Sequence, residues 1–267
     1  MLSSVLGKSL RDIRRSFAWW ALGIVGYVAM IVAVWPTVKS IPAIVDLHDN
    51  YPQALKAFTS FGGNLEFGTP AGYLGAELFS LIVPLLLLVA AIGAGARSIA
   101  GEEEAGTLDL LLANPISRVR LSLEKLAAVA IELLGLGVVM LVALEVSARV
   151  AGMKIGFEKL AAASVSAVLL ALVFGALSFL LGAATGRRGR AIGIASALAV
   201  ATYLLNSLAP LVKAIRSLRP ISPFYHYAAS DPLRNGLQAG HVLVLVAIVA
   251  LAAVAAPLLF GRRDLAV

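Results

Sequence analysis

The chain contains no cysteine, so it can build no disulfide framework, thiolate metal site or cysteine nucleophile. Charge is scarce too. Only 14% of the 267 residues are Asp, Glu, Lys or Arg, where a soluble domain carries about 25%. So few charged groups cannot coat a surface in water, which excludes a soluble enzyme and a disordered chain. The three histidines, His48, His226 and His241, are scattered, with no HExxH and no paired spacing that would hold zinc. No G-x-S-x-G elbow occurs. Gly7-Lys8-Ser9 imitates the end of a phosphate-binding loop, but G-x-x-x-x-G-K-[ST] needs glycine where Leu2 stands. The chain is therefore expected to bind no metal or cofactor and to hydrolyse no ATP itself.

What is abundant is apolar residue, 60% of the chain, at a mean hydropathy of +0.92. These residues form long runs, and about 18 or more uncharged apolar residues in a row read as a membrane span. Ser16 to Val38 is uncharged over 23 residues. Six spans are predicted, at about 16–38, 76–99, 124–148, 160–186, 191–212 and 240–260, in one all-α transmembrane domain over 1–267. Pro84 is expected to kink the second. With the N-terminus cytoplasmic, 13 of the 22 Lys and Arg fall inside, including Arg187-Arg188-Gly189-Arg190 and Arg262-Arg263 at helix ends. Both termini are then cytoplasmic. The same bias accounts for the net charge of +7 without nucleic acid, for which no motif is present.

Residues 1–15 are too short to span. Leu2, Val5, Leu6, Leu10 and Ile13 recur at helical spacing opposite Lys8, Arg11 and Arg15. This is the pattern of an amphipathic helix lying in the interface, or of a cytoplasmic helix leading into the first span. Between spans one and two, Asn50-Tyr51-Pro52 looks like a helix start, Gly62-Gly63 an end and Thr69-Pro70 a second start. Residues 213–238 are rich in Pro and aromatics, suited to anchoring at the outer interface.

The informative segment is the loop at 100–120, between spans two and three. Glu102-Glu103-Glu104 opens it, where a helix N-terminus favours negative charge. Three consecutive carboxylates point in different directions, so they read as a solvated helix start rather than a metal or acid–base site. Leu108, Leu111 and Leu112 form an apolar stripe, and Asn114-Pro115 stops the helix. An acidic amphipathic helix is ill matched to an anionic leaflet, so docking into a groove on another protein is favoured.

From Glu102 to Arg118 the sequence follows E-x-E-x-G-T-L-D-L-L-L-x-x-P-[IV]-S-R, with Arg120 to Lys125 as a basic entry to the next span. This resembles the first cytoplasmic loop of type-2 ATP-binding-cassette exporter permeases. Gly72-Tyr73, Ser222-Pro223-Phe224-Tyr225 and Asp231-Pro232-Leu233 add to the likeness. The resemblance implies a transmembrane subunit paired with a second permease and with two ATPase subunits, which hold ATP and Mg. The loop would be a coupling helix seated in an ATPase groove. Glu102, Glu104 and Ser117 would belong to its motif, and Leu108, Leu111 and Leu112 would be its anchor. Gly106 and Thr107 would allow close approach, Pro115 would be the stop, and Arg118 would pin the exit near the membrane surface or an acidic ATPase residue.

Other polar groups fall within predicted spans. Glu132 contacts a substrate, makes a structural hydrogen bond to a neighbouring helix, or stands closer to the headgroups than the span is drawn, since a carboxylate in lipid is expensive. Glu145 and Arg149 are expected to pair. Gly182-x-x-x-Gly186 and Gly189-x-x-x-Gly193 are expected to pack helices closely. A membrane scaffold without a transport path, or a secondary carrier, are the competing readings, although no internal repeat supports the carrier. The apolar spans suit a hydrophobic or amphipathic cargo, and 15 Arg against 7 Lys suggest a GC-rich bacterial source and its plasma membrane.

Overall fold

A computed structural model describes residues 5–52, 66–112 and 116–263 of the chain. In chain order, α1 (Val5–Asp12) turns at Ile13 into α2 (Arg14–Ser40), followed by a short α3 (Pro42–Asp49). The long α4 (Pro70–Glu104) and short α5 (Leu108–Leu112) precede α6 (Arg118–Val150) and α7 (Phe157–Thr185). Then come α8 (Arg188–Leu208), a 3-10 segment (Lys213–Ile221), the short α9 (Pro223–Ala228) and α10 (Pro232–Asn235), and α11 (Ala239–Arg262). Among the described residues there is no strand. Among these residues six helices, α2, α4, α6, α7, α8 and α11, are long and apolar enough to cross a membrane.

The architecture is arranged around α4 and α7. Two thirds of the most apolar stretch of α7 is buried (67%), against 17% for α2 and 22% for α8 and α11. In lipid, apolar surface alone does not draw helices together, so small residues and hydrogen bonds must do so. Gly95 supplies the closest approach: a Cβ there would lie 2.3 Å from the Gly175 carbonyl oxygen. One turn away, the buried Ser178 hydroxyl donates to the Ile92 carbonyl at 2.9 Å. Above this crossing, Tyr227 of α9 donates to the Phe79 carbonyl at 2.7 Å and accepts at its own carbonyl from Ser166 at 2.8 Å. α9 is thereby tied to both central helices.

The Gly-x-x-x-Gly expectation holds only in part. Gly182 lies against Ala100 of α4, at ordinary contact distance, and Gly186 ends α7 with φ +64°. Gly189 and Gly193 face open space and pack no helix of this chain. The break near Pro84 lies at Ser80–Leu81, where the helix is interrupted before Ile82, because proline has no N–H for the Ser80 carbonyl. Thr69 caps α4 as expected, accepting from the Gly72 N–H at 3.1 Å. Asn50 ends α3, its N–H bonded to the Asp46 carbonyl; the helix it was expected to start, with Gly62-Gly63, lies outside the described residues. The fifth span ends at Leu208, earlier than the expected 212, since Pro210 cannot continue the ladder. Arg149 and Glu145 pair at 2.6 Å as expected.

Candidate functional site

α4 continues beyond its apolar stretch to Glu104 and stops at Gly106, whose φ of +67° would strain any side chain. Thr107 closes the turn, its N–H and hydroxyl both donating to the Glu102 carbonyl, at 2.9 and 3.2 Å. α5 follows at once. Gly106 and Thr107 therefore set the angle between α4 and α5.

The sequence suggested a solvated helix start; Glu104 is exposed, but Glu102 and Glu103 are not. Glu102 binds the Lys125 ammonium of α6 and lies 3.7 Å from Lys8 of α1. Glu103 pairs with Arg263, just past α11. Glu104 accepts the Arg188 N–H at 2.8 Å, at the N-terminus of α8, where the helix dipole favours an anion. Successive helix residues are rotated by roughly 100°, so three in a row reach three different neighbours. The property that spoke against a shared site makes a three-way clasp.

The leucines also turn inward. Leu108 is 2% exposed and Leu111 5%, in one apolar cluster with Val5, Ile99, Leu121, Phe179 and Phe260. They anchor the loop to its own chain. Arg118, expected to face the membrane surface or a partner, donates instead to the Arg263 carbonyl at 2.8 Å and stands over the Phe260 ring at 5.9 Å. Ser117 caps α6, accepting from the Arg120 N–H at 3.3 Å. Ala105, Gly106, Asp109 and Ser117 remain exposed. The Leu112 side chain and Pro115 lie outside the described residues.

α1 completes the cluster. Val5 and Ser9 are buried, and the Leu6 N–H donates to Glu124 of α6 at 3.0 Å. This face of α1 meets protein, whereas the interfacial-helix reading of the sequence put its apolar side in lipid. Lys8, Lys125, Arg188 and Arg263 were not singled out as site residues. Only Lys125 carried a signal, being a lysine next to an apolar run that needs a counter-charge.

Glu132 sits deeper, 2% exposed, with no hydrogen-bond partner for either oxygen. It lines a cavity of about 230 Å³ between the α1–α2 junction, α4 and α6. A second, apolar groove of about 340 Å³ runs between α4 and α8, past Pro84, Leu88, Val200 and Tyr203.

The family model described as ABC-2 family transporter protein matches residues 3–265. No curated protein matches the chain. The match covers both the clasped loop and all six membrane-crossing helices. This chain belongs to the ABC-2 transporter family, as a multi-pass transmembrane permease.

Proposed function

We propose that this permease forms the translocation path of an exporter and takes its motion from two separate ATP-binding-cassette subunits, which bind ATP and Mg. In this reading it pairs with a second permease, a copy of itself or a relative, in a bacterial plasma membrane. The loop from Glu102 to Arg118 is the seat of the ATPase. Family membership supports an ATP-binding partner. The observation that carries the finer reading is the clasp. Glu102, Glu103 and Glu104 tie one short loop to α1, α6, α8 and the end of α11, while Gly106 and Asp109 stay exposed. A loop held by several helices and open on one face is suited to receive a push and pass it on. Arg188, Arg190 and Arg263 gather at the same end, which supports a cytoplasmic placement.

The seat differs from the one the sequence suggested. The leucines hold the loop in place, and the exposed turn at Ala105, Gly106 and Asp109 meets the partner. The test is co-purification of an ATPase encoded beside this chain, together with substrate-stimulated hydrolysis after reconstitution. Asp109→Lys is expected to lower capture while the permease still inserts and folds. A chain that captures no ATPase and stimulates no hydrolysis overturns the reading in favour of a scaffold or carrier.

A further inference from the structure

The cavity beside Glu132 has unmet needs of one kind. Among the described residues, the buried side-chain atoms on its walls without a hydrogen-bond partner are Glu132 Oε1 and Oε2, Glu102 Oε2 and Ser9 Oγ. All four can accept: an ionised carboxylate only accepts, and the Ser9 hydroxyl can accept as well as donate. The buried cation on the wall is already engaged, because Lys125 sits on Glu102. Arg97 is half-buried and its charge acts on Glu132, but it makes no hydrogen bond to either Glu132 oxygen. Three carboxylates (Asp12, Glu102, Glu132) and two cations (Arg97, Lys125) line the cavity, so the ionised wall carries one net negative charge, with Lys8 reaching Glu102 from outside it.

Buried polar groups are normally satisfied by protein, water or ligand. What completes this wall is therefore a monocation rich in N–H donors. At about 230 Å³ the space is several times the share of one liquid water, about 30 Å³. Ile13, Ala94, Ala128 and Val129, beside Ser16 and Ser98, complete the lining, and the four apolar residues offer a surface for methylene groups that a bare alkali ion would leave uncovered.

We propose that this cavity binds a protonated primary amine. Its N–H groups bond Glu132, with Ser9 and Glu102 as further acceptors, and its alkyl end lies against Ile13, Ala94, Ala128 and Val129. That the amine is cargo rests on the permease reading; that it binds does not.

The test uses the full chain in lipid nanodiscs, without any ATPase subunit. n-Hexylamine, n-hexanol, hexyltrimethylammonium and KCl are titrated, with binding read by saturation-transfer NMR and by the thermal unfolding midpoint. Hexylamine is expected to bind. Hexanol lacks the charge and hexyltrimethylammonium lacks the N–H donors, so each should bind at least about tenfold more weakly. Glu132→Gln keeps the side-chain volume and should weaken hexylamine by at least about tenfold. Should that variant fail to fold, Ser9→Ala removes a single acceptor and should still weaken binding. Hexylamine bound equally by wild type and variant, or an equal response to hexanol or KCl, overturns the proposal. Loss of amine binding with ATPase capture intact defeats this inference alone. Amine binding without ATPase capture defeats the permease reading and leaves the site standing.

Discussion

Replacing Leu111 by alanine should free the loop from the permease before it disturbs anything that a partner touches. Leu111 is 5% exposed and packs with Val5, Ile99, Leu121 and Phe260. Truncating a leucine so buried costs about 2–5 kcal/mol. Because the clasp on Glu102, Glu103 and Glu104 persists, the loss falls on local opening of the loop rather than on the whole bundle. At about 3 kcal/mol, and roughly 1.4 kcal/mol per tenfold, the open population rises about 100-fold. The Thr107 N–H, bonded to the Glu102 carbonyl at 2.9 Å, is the reporter. Amide hydrogen exchange across residues 103–111, measured on the chain in nanodiscs with no ATPase present, should accelerate by that order. Asp109→Lys, at an exposed position, should leave exchange unchanged and lower ATPase capture. If Leu111→Ala exchanges like wild type yet captures less ATPase, the leucine faces the partner and the inward-packed cluster is the wrong account of the loop.

Three further outcomes are expected. Gly95→Val should prevent the close crossing of α4 and α7, because its Cβ would meet the Gly175 carbonyl at 2.3 Å, and yield should collapse. Gly193→Ala, in open space, should be neutral or stabilising by up to about 1 kcal/mol, as read by thermal unfolding; equal losses in both variants would refute the packing argument. Glu103→Gln should destabilise by about 1–3 kcal/mol, since it strands Arg263 in a site where each side chain is 16% exposed. The double variant with Arg263→Gln should lose less than the sum, and strict additivity in that cycle would deny the pair. Burial pushes the Asp231 carboxyl above its usual range, with Arg234 pulling the other way. The folded state therefore holds that proton more tightly, and the stability it confers is full below the unfolded value and lost as pH rises through the raised one. Asp231→Asn removes this dependence and tolerates the positive φ of 47°. The midpoint difference between the two proteins should grow as pH rises above about 4, and a difference independent of pH would refute it.

The spans were legible because apolar runs of this length with few or no charges have one explanation, and Thr69-Pro70 and the pair Glu145–Arg149 because their partners are three or four residues away. Contacts between distant segments were not. Glycine spacing pointed at Gly189 and Gly193, which face open space, whereas the true crossing joins Gly95 to Gly175. Spacing identifies a helix face but not the neighbour it meets. The same holds for the loop. A stripe of Leu108 and Leu111 says that one face will be buried, and both a partner's groove and the chain's own α1 and α11 satisfy that pattern. Glu102 and Glu103 looked solvated because their counter-charges, Lys8, Lys125 and Arg263, lie on other elements and converge only in the fold.

The clasp also bears on how a motion could reach the membrane. A helix end held by one contact can swing without moving anything else. Here Glu102 is bound to α1 and α6, Glu103 to the residue after α11, and Glu104 to the first turn of α8. Arg118 closes the circuit by donating to the Arg263 carbonyl. Displacing residues 102–109 as a body must then either drag four helices or break charged bonds in a partly buried site. Half-broken ion pairs there leave charges without compensation, which is the expensive outcome, so dragging is favoured for small displacements. The apolar cluster under Leu108 and Leu111 works in the same direction, because packed side chains resist shear. Under the proposed coupling, a push at Gly106 and Asp109 would be shared among α6, α8 and α11 at their common end, while α4 carries it directly as the helix from which the loop springs.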